Sequence, residues 1–204
     1  MFLDRENWLG SFYELAIEYS PPREDERLLK AIHALWSCQQ LEGPVDGPYG
    51  EQHVKQGSRL PLSLEPEDYH NLYGKIKLAE GNTVGCLSVT VREKGGSDWL
   101  DLCIPTGMLG LAYQVEYSLF PSTNPWLSEI DHVFMTIAEK IYACSPFNLA
   151  IIGEEVSGYR YAQTITVDDL VRGGYLVPPE LVQNLRPPVS HVNLPSGLCW
   201  FPDK

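Results

Sequence analysis

The sequence lacks the long apolar runs, paired cysteines and basic excess that would each assign it to a familiar class of protein. No run approaches the ~20 apolar residues that a membrane-spanning helix needs. Residues 1–7 do not show the basic and then apolar order of a secretion signal. We therefore expect a cytoplasmic protein that has no membrane partner.

Cysteine is sparse: the chain has five, an odd number, and no C-x-x-C pair. Most lie in apolar surroundings such as Leu102-Cys103-Ile104, which is typical of buried, reduced thiols. The five are Cys38, Cys86, Cys103, Cys144 and Cys199. This usage agrees with a reducing compartment.

Basic residues are few, with 15 against 27 acidic ones and a net charge of −12. A negative surface repels phosphate groups, so we expect no nucleic-acid partner. If the chain binds a protein, the same charge favours a basic partner.

Catalytic and cofactor motifs are missing as well. The glycines form no G-x-G-x-x-G, G-x-x-x-x-G-K or G-x-S-x-G pattern, and the histidines form neither H-x-x-x-H nor H-E-x-x-H. We therefore expect no cofactor. The sequence gives no indication of oligomeric state.

The residues that are present fit one α+β domain over residues 1–204, with 44% hydrophobic and 21% charged residues. Two apolar stripes with helical spacing predict an N-terminal helical hairpin, broken at Pro21-Pro22. The first stripe comprises Trp8, Phe12, Leu15 and Tyr19. The second comprises Leu28, Ile32, Leu35 and Trp36. Residues 40–68, rich in glycine and proline, then predict a long loop, either functional or mobile.

An antiparallel meander of at least three strands follows, over residues 72–79, 84–93 and 98–104. Two-residue turns at Gly81-Asn82 and Gly95-Gly96 would fix its register. The register sets Ile76 opposite Leu87, Val89 opposite Leu102, Thr90 opposite Asp101, and Arg92 opposite Trp99. An apolar inner face then carries Ile76, Leu78, Leu87, Val89, Val91, Leu100, Leu102 and Ile104. We expect this face to pack against helices.

A long helix from Pro125 to about Cys144 has an apolar stripe and is the best candidate to cover that inner face. Further strands are predicted at 113–117, 149–152 and 159–165, for five or six in all. A short helix is predicted at 167–172. The remainder is rich in proline and irregular.

The outer face of the meander is the predicted binding site, because it sets a large aromatic among polar groups. Its members are Trp99, Arg92, Asp101, Thr90 and Lys75. An arginine over a tryptophan suggests a cation–π pair, and both residue types are enriched at binding hot spots. The alternative is that another segment, such as the long loop or the C-terminal tail, covers this face.

Acidic residues offer a weaker, catalytic alternative. Glu129 and His132 share one side of the long helix with Asp131 between them, and such pairs occur in metal sites. Acidic residues are also expected in a first helical turn because of the helix dipole. Glu154 and Glu155 follow an apolar strand, where neighbouring side chains point to opposite faces, so we expect them not to form one site.

The sequence therefore predicts an α+β domain without an identified activity. The favoured function is a non-catalytic protein-binding module, of the inhibitor or immunity type, that docks a basic protein. The alternatives are a metal-dependent hydrolase that uses Glu129, Asp131 and His132, and a carrier that holds a small ligand between the sheet and the long helix.

Overall fold

A computed structural model describes residues 4–45, 70–78 and 81–203. Within these residues nine strands form one antiparallel sheet in the order β2-β3-β4-β5-β1-β6-β7-β9-β8. The strands are Phe12–Tyr19 (β1), Leu41–Val45 (β2), His70–Lys77 (β3), Thr83–Arg92 (β4), Asp98–Pro105 (β5), Leu149–Glu154 (β6), Tyr175–Val177 (β7), Val192–Asn193 (β8) and Cys199–Phe201 (β9). The predicted mixture of helix and antiparallel sheet is confirmed.

The helices are Asp25–Trp36 (α1), Thr106–Leu109 (α2), Leu127–Cys144 (α3), Val167–Arg172 (α4) and Pro179–Leu185 (α5), and a 3-10 helix spans Arg5–Trp8. Three of these were predicted, namely α1, α3 and α4. The Thr166 hydroxyl caps α4 by accepting a hydrogen bond from the Asp169 N–H. In return, the Asp169 carboxylate accepts a hydrogen bond from the Thr166 N–H, which completes a capping box. None of the helices in the described part of the chain is long and apolar enough to cross a bilayer.

The prediction of a first helix in an N-terminal hairpin is wrong, because Phe12–Tyr19 forms β1 near the middle of the sheet. This strand is buried on both faces. One face carries apolar Leu15 and Ile17, and the other carries Glu14 and Glu18. Phe12, Leu15 and Tyr19 have helical spacing, but residues 13–19 also alternate between large apolar side chains and Glu or Ala, which is the two-residue period of a strand.

Helices α1 and α3 share the larger hydrophobic core with one face of the sheet. The Tyr13 ring of β1 stacks on the Phe134 ring of α3, with centroids 6.1 Å apart. The Trp36 indole N–H of α1 donates to the Ser88 hydroxyl of β4 at 3.1 Å. These contacts identify the face of the sheet that the helices cover, called the helix face below.

The meander exists as β3, β4 and β5, but both of its predicted registers are wrong. The β4–β5 turn has three residues between Glu93 and Ser97, and Gly95 adopts a left-handed φ of +80°. The pairing therefore shifts by one residue, so that Val91 lies opposite Trp99 and Arg92 opposite Asp98. At the β3–β4 turn the shift is three residues. An odd shift transfers a whole strand's side chains to the other face.

Segments after β6 cover the opposite face of the sheet and form a second hydrophobic core around Trp99. The predicted strand at 159–165 is wrong, because it lies in the loop between β6 and α4 that forms this cover. The predicted strand at 113–117 is also wrong; these residues form turns after α2. Residues 41–45 of the predicted long loop form β2, and residues 46–68 lie outside the described residues.

Candidate functional site

The recognition face predicted from the sequence is not a surface. Trp99 is 0% exposed and Asp101 is 3% exposed, both on the face that the loop after β6 covers. The Tyr161 ring of that loop packs edge-on against the Trp99 ring, with the ring centroids 5.7 Å apart. The prediction of an exposed docking face around Trp99 is therefore wrong, and the alternative that another segment covers it is correct. The described covering segment is the loop between β6 and α4, and Cys199 and Phe201 of β9 belong to the same hydrophobic core as Trp99.

Arg92 and Thr90 lie on the helix face instead, away from Trp99. The Arg92 guanidinium forms a buried ion pair with Asp98 at 3.0 Å and a second pair with Asp25 of α1 at 2.8 Å. Thr90 is 6% exposed. Lys75 is exposed on β3, opposite Gly85 and two strands from Trp99. The five predicted binding residues therefore do not form one site.

The three proposed metal ligands do not meet at one point, since Glu129 and His132 line one surface groove and Asp131 faces Tyr13 of β1. The Glu129 carboxylate accepts from the Tyr113 hydroxyl at 3.2 Å, whereas Asp131 accepts from the Tyr13 hydroxyl at 2.6 Å. His132 is exposed. Among the residues that the structure describes, no three His, Cys, Asp or Glu side chains come together as metal ligands. The geometry does not support the predicted ligand set of a metal-dependent hydrolase.

Asp131 still has unusual chemistry, because burial raises its pKa from the ordinary value to about 6, opposed by the Tyr13 hydrogen bond. Because the pKa of Asp131 is higher in the folded state, the protonated carboxyl stabilises the fold at pH values below about 4, the pKa of an unfolded aspartate. This stabilisation is lost as the pH rises through about 6. We expect the free energy of unfolding of the wild type, minus that of Asp131→Asn, to fall by about 2 kcal/mol between about pH 4 and 7. Urea unfolding at several pH values measures this difference, and a constant difference would contradict the assignment.

An open groove of about 440 Å³, called the Tyr159 groove, lies at one end of the sheet. Four segments that are distant in sequence meet there: residues 118–120, the end of β6 with residues 155–159, the junction between α4 and β7, and Asp203 after β9. The side chains that matter below are Phe120, Glu154, Glu155, Val156, Tyr159, Arg172 and Asp203.

Hydrogen bonds to Glu154 hold the segments of the groove together. Its carboxylate accepts from the Ser11 hydroxyl at 2.6 Å and from the Leu119 N–H at 3.3 Å. Glu155 has a left-handed φ of +50°, and its carboxylate accepts from the Phe12 N–H at 2.8 Å. Both glutamates line the groove, although their carboxylates bind different groups.

Exposed aromatic rings flank the Tyr159 groove. Among the described residues, the large apolar side chains that are more than half exposed are Leu9, Tyr117, Phe120, Tyr159 and Val192. Phe120 and Tyr159 line the groove, and Tyr117 lies next to its lining residue Ser118. A cluster of exposed aromatic rings is typical of an interaction site, whereas single exposed apolar residues are ordinary.

The charge of the groove is negative, since Glu154, Glu155 and Asp203 outnumber Arg172 by three to one. The Tyr159 ring already has one cation beside it, with the Arg160 guanidinium 4.3 Å from the ring centroid. Arg160 is held there by a 2.8 Å ion pair with Asp169 at the start of α4. The site therefore combines three carboxylates with exposed aromatic rings, which suit the charged end and the methylene groups of a lysine or arginine side chain.

Sequence reasoning missed this site because its parts come from four separate segments. The one local signal was the aromatic Phe120 between Leu119 and Pro121, and its exposure is a property of the tertiary structure. The pattern did not show which other segments lie beside it. Comparison with family models, curated proteins and solved structures finds no match to this chain.

Proposed function

We propose that this chain is a non-catalytic protein-binding module that docks a basic protein partner through the Tyr159 groove. The observation that carries the proposal is the presence of exposed Phe120 and Tyr159 beside three carboxylates in one concave site. An inhibitor or immunity-type role fits such a module. A cytoplasmic location is part of the proposal, since all five cysteines are free thiols.

The proposed contact is a lysine or arginine side chain of the partner. Its cationic end would lie near Glu155 and Asp203, and its methylene groups would pack on the Phe120 and Tyr159 rings. The carboxylates favour a cation over a neutral side chain, and the net charge of −12 attracts a basic protein over a longer range. The rings supply apolar area at a low entropic cost, because each has two rotatable side-chain bonds.

Alanine replacement of the groove aromatics is expected to weaken binding. Against an array of peptides that carry single Lys or Arg residues beside apolar ones, Phe120→Ala and Tyr159→Ala should each lower affinity by about 10–30-fold. Val192→Ala is the matched control, because Val192 is 52% exposed, as is Tyr159, but lies on β8 at the far edge of the sheet. Equal losses in Val192→Ala and Tyr159→Ala would contradict the assignment.

The array also tests the charge of the partner. Peptides with Gln in place of Lys or Arg should bind less tightly, and added salt should weaken only the cationic peptides. If neutral and cationic peptides bind equally and without salt dependence, the groove is not a site for a basic partner.

A further inference from the structure

Three carboxyl groups are buried on the face of the sheet behind the Tyr159 groove. Glu14 and Glu18 of β1 are 4% and 0% exposed, and Asp101 of β5 is 3% exposed. Strand pairing places them together, because Glu14 lies opposite Cys103 and Glu18 opposite Trp99, on either side of Asp101. Residues 155–162, called the covering loop, lie over these groups.

Hydrogen bonds to acidic side chains hold the covering loop against the sheet. Ser157 donates its backbone N–H to Glu14 at 2.7 Å and its hydroxyl to Asp101 at 2.9 Å. The Ala162 N–H donates to Glu18 at 2.6 Å. The Tyr161 hydroxyl donates to Glu93 in the β4–β5 turn at 3.0 Å. Both ends of the loop are therefore tied to carboxyl groups.

The charges that face these acids are all of one sign. The charged groups that raise the pKa values of these acids are all carboxyls: Glu155 acts on Glu14, Glu93 acts on Glu18, and Glu14 and Glu93 act on Asp101. The nearby Arg92 points to the helix face, where it pairs with Asp25 and Asp98. No lysine, arginine or histidine of the described residues therefore balances the buried acids.

Hydrogen bonding to the neighbouring carboxyls of Glu14 and Asp101 is incomplete. The Cys103 thiol donates to Glu14 at 3.4 Å, which by itself favours the ionised form of Glu14. Asp101 Oδ1 is buried and has no hydrogen-bond donor among the described residues. A buried carboxylate oxygen without a donor is costly, and two adjacent carboxylates repel each other, so the pair is most stable when it holds a proton.

We propose that a proton held by the buried pair Glu14 and Asp101 keeps the covering loop docked, and that loss of this proton releases the loop. The same loop carries Val156 and Tyr159, which form one wall of the groove. The affinity of the groove for its partner therefore decreases as the pH rises. This consequence for binding rests on the proposed function, whereas the release of the loop does not.

The direction follows from linkage between proton binding and docking. Burial raises the pKa of Asp101 well above its ordinary value, and the Glu14 charge raises it further, while the Ser157 hydrogen bond opposes both. Burial likewise raises the pKa of Glu14. These pKa values return towards their ordinary range when the loop opens to water, so the open state loses a proton more readily and is favoured by higher pH.

Hydrogen exchange of the amides of residues 155–162 tests the release without any partner. From about pH 5 to about pH 9, after correction for the intrinsic base-catalysed rate, we expect protection to fall by up to about tenfold per pH unit for one released proton. Glu14→Gln and Asp101→Asn keep the acceptor oxygens but cannot ionise, so protection in each should depend less on pH. Glu26→Gln, exposed on α1, is the matched control and should behave as the wild type.

Protection that does not change with pH in the wild type, or that changes equally in Asp101→Asn, would overturn the proposal. If the two carboxamide variants fail to fold, Ser157→Ala serves instead, because it leaves both acids in place. It should lower protection throughout and retain the pH dependence, and a loss of that dependence would overturn the proposal. Peptide binding by the groove at low pH is measured separately, so failure of the loop mechanism and failure of the binding proposal can be distinguished.

Discussion

Replacement of Trp99 with alanine is expected to lower the free energy of unfolding by about 3–5 kcal/mol. The indole is fully buried in the second hydrophobic core, where it contacts the Tyr161 ring. Its removal leaves a cavity that the surrounding strands β1 and β5 cannot fill, because both are paired on each side within the sheet. Such a loss is a large fraction of the 5–15 kcal/mol that stabilises an ordinary domain.

Urea unfolding, followed by circular dichroism, measures this effect. Trp126→Ala is the matched control, because Trp126 is half-buried and stacks on Tyr113 at 4.5 Å rather than filling a core. It should cost clearly less. Surface substitutions usually change the free energy of unfolding by less than about 1 kcal/mol. A change that small in Trp99→Ala would mean that the indole is not interior.

Arg92→Met is expected to destabilise the fold by about 3–5 kcal/mol, for an electrostatic reason. The Arg92 and Asp98 side chains are 5% and 2% exposed, so the substitution leaves the Asp98 carboxylate buried without its counter-charge. Asp98 retains one hydrogen bond, from the Arg23 N–H at 2.6 Å, which cannot replace the guanidinium. The connection from β4 to Asp25 at the start of α1 is lost at the same time.

Adding Asp98→Asn to Arg92→Met shows how much of the destabilisation comes from the unpaired buried charge and how much from lost packing. The amide oxygen can still accept from the Arg23 N–H, so the double variant should recover a substantial part of the stability lost in Arg92→Met. Lys30→Met is the matched control, because its ion pair with Glu26 has side chains that are 64% and 92% exposed, and it should change stability by less than about 0.5 kcal/mol. If Arg92→Met has an equally small effect, the buried pair does not stabilise the fold.

Both of these residues were predicted from the sequence to lie on a binding surface, and each error has its own cause. Trp99 lies on the predicted face, but the loop after β6 covers that face. Arg92 lies on the opposite face because of the β4–β5 turn. A two-residue turn at Gly95-Gly96 sets Arg92 opposite Trp99, whereas the three-residue turn that forms sets Arg92 opposite Asp98. Glycine at 95 and 96 is compatible with either turn, since both need a left-handed residue. The ion pair between Arg92 and Asp98 and the burial of Trp99 favour the observed register, and both are tertiary contacts.

Local sequence patterns were sufficient to predict an element that buries a single apolar face. Helices α1 and α3 show a single apolar stripe, and the caps of α4 at Thr166 and Gly173 can be read from neighbouring residues alone. The central strand β1 was misread as a helix, because Phe12, Leu15 and Tyr19 match a helical stripe while residues 13–19 also match the two-residue period of a strand. The pattern could not show that the face carrying Glu14 and Glu18 is buried as well.

The candidate site could not be predicted in the same way. The Tyr159 groove joins segments near residues 119, 155, 173 and 203, which are distant in the chain. The buried acids Glu14 and Asp101 are more than 80 residues apart in the chain and meet through the pairing of β1 with β5. Ionisable side chains of this kind are usually assigned to the surface from sequence, since burial without a counter-charge is rare.

By itself the sequence determined the composition of an acidic α+β chain, the absence of a helix long enough to cross a membrane among the described residues, and the positions of α1, α3, α4 and the three meander strands. These depend on local periodicity, capping and charge. Only the tertiary structure decided strand register, which residues line the groove, and that Trp99 is interior while Phe120 and Tyr159 are exposed. The physical reason is that register and exposure depend on contacts between residues distant in the chain, which local spacing does not encode.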